Sequence, residues 1–334
     1  MKKIVAMLLL VCLVFALAAC GAPKTAEYKL GLGVSLNTNS SKTGNAQVDA
    51  TTAAVVLDKD GKIVAVKLDV AQNKMDVTDG AVDTAKEFKT KAELGDDYNM
   101  VKYSDATLEW YQQAAAFEQY VIGKTADEVE AMETVVNEGG HVVTTDETLY
   151  ASCSISIGDF KEAVVKACRD EQGASFTAAP GEFKLGLAIN STAEESTAAT
   201  AEEEGVVKMY SEYGAVVLDK DGKILAALTD ATQPQIKINA AGEIGETKFG
   251  GTKRELKEDY NMVKFSNATL EWYQQAKSFT DYAVGKTADE LKATETKTNE
   301  EGHNVFVDEA LYATCSISID GMINVLAKAA GNAA

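Results

Sequence analysis

Asp97–Ala114 reads DYNMVKYSDATLEWYQQA and Asp259–Ala276 reads DYNMVKFSNATLEWYQQA, so sixteen of eighteen positions are identical at a spacing of 162 residues. A match this long and close is a duplication, and it decides the architecture before any single element is read. The same spacing carries Gly123-Lys124-Thr125-Ala126-Asp127-Glu128 onto Gly285–Glu290, His141 onto His303, and Leu149-Tyr150-Ala151-Ser152-Cys153 onto Leu311-Tyr312-Ala313-Thr314-Cys315. Toward the N-terminus the spacing contracts. Tyr28-Lys29-Leu30-Gly31-Leu32 pairs with Phe183-Lys184-Leu185-Gly186-Leu187 at 155, and the VVLDKDGKI segments at Val55 and Val216 pair at 161. The second copy therefore gains residues between Ala188 and Val216, where Ser191–Glu204, rich in Ala, Thr and Glu, reads as a solvated, mobile loop. Two repeat domains follow, 26–170 and 181–331, joined by a linker over 171–180 that contains Pro180, and each is expected to fold alone.

Within one copy, Tyr28–Leu36 is short and apolar and reads as a strand. Ala53–Leu57 and Ile63–Val70 flank Asp58-Lys59-Asp60-Gly61, a hairpin turn in which glycine supplies the positive φ. The acids of this turn and of Asp219-Lys220-Asp221-Gly222 lack the later ligands and flanking helices of a calcium loop. Positions 110, 114, 117 and 121 give Thr107–Val121 one apolar helical face. Thr125 with Glu128 forms a capping box that starts a second, short helix. Leu149–Ile157 alternates, with Ala151, Cys153, Ile155 and Ile157 on one side and Ser152, Ser154 and Ser156 on the other, which predicts a strand. Phe160, Ala163, Val164, Ala167 and Cys168 form a last helical stripe. The fold class is α+β: two tandem copies of a small antiparallel-sheet domain with packed helices.

Residues 1–19 carry Lys2 and Lys3, an apolar run from Ile4 to Ala19 and small residues before a cysteine, the layout of a secretory signal. The run is short for a membrane span, which needs about 20 residues. Leu17-Ala18-Ala19-Cys20 resembles the lipobox of bacterial lipoproteins. That resemblance implies cleavage before Cys20, lipidation of its thiol, a tether over 20–25, and a place on the extracellular face of the cell membrane. Loss of the two signal lysines takes the net charge from −19 to −21. Such a surface repels phosphate backbones and anionic headgroups, which excludes nucleic acid as a partner and leaves the lipid as the membrane contact.

Three cysteines remain in the exported chain, Cys153, Cys168 and Cys315, with no CxxC spacing, so neither a disulfide framework nor a zinc site is indicated. The alternation favours buried free thiols at Cys153 and Cys315 over a bridge between them. Buried thiols are poor nucleophiles, so a Cys–His pair with His141 or His303 is disfavoured, no catalytic residues are assigned, and the histidines read as polar loop residues. Trp110 and Trp272 share the apolar stripe, whereas Tyr111 and Tyr273 sit a step round the helix and are candidates to line a ligand surface. On the hydroxyl face, Ser152, Ser154 and Ser156 with Thr314, Ser316 and Ser318 offer donors to a phosphate or carboxylate just before a helix start, or else form a solvated sheet face.

The hairpin Val56–Val66 followed by a small-hydroxyl segment entering the helix at Phe160–Ala167 resembles the exported FMN-binding domain family, as found on lipoproteins of Gram-positive bacteria. Members are small α+β domains, and many hold FMN through a phosphoester to the threonine of a Ser-Gly-Ala-Thr-like motif. The matching segments here are Leu149-Tyr150-Ala151-Ser152 and Leu311-Tyr312-Ala313-Thr314, with tyrosine in place of glycine and, in the first copy, serine in place of threonine. The resemblance implies FMN as cofactor, Thr314 as the acceptor and Ser152 as its weaker counterpart, in a duplicated ligand-binding module serving extracellular electron transfer. The rival expectation is a non-catalytic structural or interaction lipoprotein of the cell envelope.

Overall fold

The computed structural model describes residues 25–334; the segment 1–19 read as a secretory signal, and Cys20, lie outside the described residues. Each copy is built on an antiparallel meander. In the first, strands Ala26–Asn37, Asn45–Leu57 and Ile63–Asp76 pair in sequence order. In the second, Lys184–Thr192, Tyr210–Leu218 and Ile224–Thr232 do the same. The turns are as expected: Gly61 takes φ 74°, and Asp58 Oδ1 accepts from the amides of Asp60 and Lys62, both at 2.9 Å. The Asp58 carboxylate is spent on the turn itself, and the Asp60 carboxylate takes the Lys59 ammonium at 2.8 Å.

The strands bury both faces, for different partners. Ala53, Val55, Leu57 and Val70 face Trp110, Phe117 and Phe160 of the helices Trp110–Val121 and Gly158–Cys168. Alternate residues Ala50, Ala54 and Val56 face Leu187, Tyr213, Ala215 and Val217 of the other copy's sheet. The molecule is thus layered helix, sheet, sheet, helix, an α+β arrangement in which the two copies share a core. Independent folding of 26–170 and 181–331 is therefore not what the packing supports: separating the copies would bare a sheet face on each. The stretch read as a linker is also structural. Ala174–Ala178 is a strand on the free edge of Ala26–Asn37, where Phe176 stacks on Tyr28. The insertion at 191–204 is likewise not a free loop. Ala193 and Ala199 are buried with Val48, Met75, Met209 and Ile236 beneath a third, three-stranded sheet made of Gly205–Lys208, Gln235–Ile238 and Ile244–Lys248. Small side chains let this alanine-rich stretch pack closely despite its polar composition.

Reciprocal contacts give the pair of copies pseudo-two-fold character. Lys166 of the first copy pairs with Glu255 of the second at 3.1 Å, and the equivalent Lys328 pairs with Glu93 at 2.7 Å. Such exchange is the mark of an isologous interface, here within one chain. In both copies the last helix lies directly on the first strand. A Cβ added at Gly31 would stand 1.9 Å from the Ala167 carbonyl oxygen, and one at Gly186 would stand 2.0 Å from that of Ala329, so only glycine fits.

The segment before this helix differs from expectation. Leu149–Ile157 is not a strand: Glu147–Tyr150 and Glu309–Thr314 are short helices, followed by irregular chain. The physical reason is local. Asp146 Oδ1 caps the Leu149 amide at 2.9 Å, and Asp308 Oδ1 caps those of Ala310 and Leu311 at 2.9 Å, which starts a helical turn that alternation alone does not reveal. The buried thiols survive this correction, because Cys153 and Cys315 are enclosed under the helices and unbridged.

Candidate functional site

A cleft of about 690 Å³ opens between the sheet and the helices of the first copy. Asp49, Thr51, Val70 and Gln72 form the floor, Lys91, Tyr98 and Trp110 one wall, and Ser154, Ser156 and Asp159 the other, with His141 at the rim. Lys91 is held in place by a buried anchor. Asp69, on the strand Ile63–Asp76, accepts the amides of Val70 at 2.7 Å and Ala92 at 3.1 Å, while Thr90 and Glu93 close a capping box over the same turn. Burial pushes the Asp69 carboxyl above the usual range, and hydrogen bonds from Thr90, Ala92 and Val70 oppose that. The Lys91 ammonium then lies 4.9 Å from the Tyr98 ring centre and 5.7 Å from that of Trp110, within cation–π reach. Across the cleft, Asp159 stands in the first turn of the Gly158–Cys168 helix. Its carboxyl is raised by burial, then by Glu162 and Asp49.

The second copy keeps the lysine and changes its surroundings. By strand register and spacing, Tyr210 and Glu212 stand where Asp49 and Thr51 stand, and Gly321 stands in place of Asp159. Lys253, the counterpart of Lys91, is only 7% exposed, with its ammonium 4.9 Å from the Tyr210 ring, 5.0 Å from Tyr260 and 5.3 Å from Trp272. Burial pulls it down to about 8, against the pull of Glu212 and Asp230. Tyr210 Oη donates to Glu212 Oε1 at 3.4 Å. A Cβ at Gly321 would lie 2.1 Å from both Glu212 oxygens, so the two copies place a carboxylate in the same region from opposite sides of the cleft.

The residues singled out from sequence divide among several places. Ser154 and Ser316 are tied to the buried carboxamides of Gln113 and Gln275: the serine amides reach Oε1 at 2.9 and 2.8 Å, and the hydroxyls at 3.3 and 3.2 Å. These serines fasten their segment to the Trp110–Val121 and Trp272–Ala283 helices; Ser154 also borders the cleft. Ser152 and Thr314 turn their hydroxyls back onto the Leu149 and Leu311 carbonyls at 3.2 and 3.0 Å. Thr314 is exposed but ends a helix, where the dipole repels anions, and the following helix start already has Asp320 in its first turn. Tyr111 and Tyr273 line two smaller clefts, of about 340 and 390 Å³, at the seam between the copies, and donate to Asp96 at 3.2 Å and Glu258 at 2.7 Å. The three thiols are pushed up to about 12 by burial, and His141 and His303 are exposed turn residues. Among the described residues no group of three or more His, Cys, Asp and Glu is arranged to hold a metal ion, and no helix is long and apolar enough to cross a membrane.

Sequence reasoning missed Lys91, Asp159 and Tyr210. The available signal lay in the differences between the copies: the Thr-x-x-Glu boxes at Thr90 and Thr252 mark the equivalent lysines, and aligned repeats show Asp49 against Tyr210 and Asp159 against Gly321.

The chain is similar to a chlorophenol reductase of Desulfitobacterium hafniense, 30% identical over 126 residues, covering 33% of this chain and 38% of that protein. The chain thus spans less than two fifths of that relative's length. No family model matches the sequence, and no solved structure matches it.

Proposed function

We propose that this chain is an exported lipoprotein, anchored through Cys20 on the outer face of the cell membrane, that binds a small aromatic ligand noncovalently in the cleft of its first copy. The observation that carries the reading is the contrast between the copies. The first leaves an open, 690 Å³ cleft beside Lys91, Tyr98 and Trp110, and the second covers the same lysine with its own Tyr210. The size suits an organic ligand, and aromatic walls with a few polar groups suit a planar ring.

Flavin is the ring that the family resemblance puts forward, and a role beside a redox partner joins that expectation to the partial likeness with a reductase. The cleft's charges favour the ring over the phosphate, since Asp49, Asp105 and Asp159 line it against one lysine. Titration of the exported chain with FMN and with riboflavin, followed by flavin fluorescence, tests this. Saturable binding of one equivalent is expected, with riboflavin at least as tight as FMN. Binding of neither flavin would count against flavin as the ligand. The rival reading, a structural envelope protein, is favoured if no aromatic ligand of any kind occupies the cleft.

A further inference from the structure

We infer that Tyr210 is a built-in stand-in for the ligand, and that the first-copy cleft takes a phenol, a small aromatic ring bearing one hydroxyl. The inference rests on the binding-protein reading above and names the chemistry of its ligand. Within the second copy a phenol ring already sits in this place: it lies over the Lys253 ammonium at 4.9 Å and sends its hydroxyl to the Glu212 carboxylate. The first copy keeps the lysine and its two aromatic neighbours, lacks the ring, and carries its carboxylate on the opposite side of the cleft. Lys91 replaces Lys253, Tyr98 and Trp110 replace Tyr260 and Trp272, and Asp159 supplies a carboxylate where Gly321 cannot.

The space is also kept clear. Asp49, at the Tyr210 position, is drawn along its strand by Gln47, whose amide nitrogen meets both carboxylate oxygens at 2.9 and 2.8 Å. Thr51, shorter than the Glu212 it replaces, leaves room for the hydroxyl to approach from the other side. A ring entering between Lys91 and Asp159 would gain the cation–π contact on its face and donate its O–H to the carboxylate, the two interactions that hold Tyr210. A neutral phenol suits the site, because the carboxylate accepts a proton-bearing oxygen and repels a phenolate.

The probe is p-cresol, the tyrosine side chain as a free molecule, with toluene as its hydroxyl-free control. Calorimetry on the exported chain should show one saturable p-cresol site and binding of toluene weaker by about tenfold or more, the worth of a hydrogen bond to a charged group. Importing the second copy's residues, Asp49→Tyr with Thr51→Glu and Asp159→Gly, should abolish that site in a folded protein. Should this variant fail to fold, Tyr210→Ala gives an independent reading: it empties the second copy, so p-cresol should refill it, raising the stoichiometry from one to two and the Tm of the variant. Toluene binding equal to p-cresol, p-cresol binding that survives the folded triple variant, or a Tyr210→Ala protein that gains no second site would overturn the inference. If riboflavin saturates the cleft and p-cresol does not, the phenol fails and the binding-protein reading stands. If neither ligand binds, both fail.

Discussion

Truncating the buried ion pair that joins the two copies should unfold both copies more easily, and in one transition. Arg254 and Asp170 are 7% and 9% exposed at the side chain, with Arg254 Nη2 at 3.1 and 3.0 Å from the two carboxylate oxygens and 3.0 Å from the Gln172 carbonyl oxygen. Asp170 also accepts the amides of Leu32 at 3.1 Å and Gln172 at 2.9 Å. Asp170→Ala would leave a buried guanidinium and two backbone donors without their acceptor, a loss of about 3–5 kcal/mol. Arg254→Met should cost less, about 2–3 kcal/mol, because the carboxylate keeps its two amides and the methionine fills part of the space. With both changed, no buried charge is left over, so the double variant should lose less than the sum by about 1–3 kcal/mol. Urea unfolding followed by far-UV circular dichroism and by tryptophan emission measures all three, and both probes should move together since the sheets share a core. Two separated transitions, or strictly additive losses, would refute the claim that the pair locks the copies into one cooperative unit.

Glu118 is raised to about 7, chiefly by burial, with the Leu68 amide at 2.7 Å opposing. The folded state therefore holds its proton above the unfolded carboxylate range, and this stability is present at low pH and lost as pH rises from about 4.5 through about 7. Glu118→Gln, which keeps an acceptor for Leu68, should gain Tm over the wild type at pH 8 and not at pH 4; equal gains at both would show that the group does not titrate there. Gly31→Ala and Gly186→Ala each force a helix carbonyl off its strand and should cost about 3 kcal/mol or more, whereas Gly61→Ala, whose Cβ meets nothing within 4 Å, should cost only the about 1 kcal/mol of a positive-φ position. Comparable Tm losses in all three would sink the close-contact argument. Replacing Cys20 by Ala should release the protein from the membrane fraction or block its processing, and unchanged retention on fractionation would contradict lipidation.

What could be read in the sequence was what neighbouring residues decide among themselves. The hairpin at Asp58–Gly61, the helix on the 110, 114, 117, 121 stripe and the Thr125–Glu128 cap each depend on residues within a few positions of one another. The seam between copies depends on pairs such as Lys166 with Glu255 and Asn73 with Ser211 at 3.3 Å, far apart in the chain, and no periodicity announces them. Alternation misled at Leu149–Ile157 because a period of two does not exclude a capped helical turn followed by chain pinned to Gln113. The cleft of the first copy was hidden for a third reason. Lys91 looks like any surface lysine until Tyr210, in the other copy, shows what can cover it.

The most direct test uses the chain's two tryptophans, Trp110 beside the open cleft and Trp272 beside the Lys253 that Tyr210 covers. Their indole N–H resonances, assigned by Trp110→Phe and Trp272→Phe, can be followed together during titration with p-cresol or riboflavin. A bound aromatic ligand should shift the Trp110 signal saturably and leave Trp272 in place. Saturable movement of Trp272 alone, or of neither signal, would contradict a ligand site in the first copy closed by Tyr210 in the second.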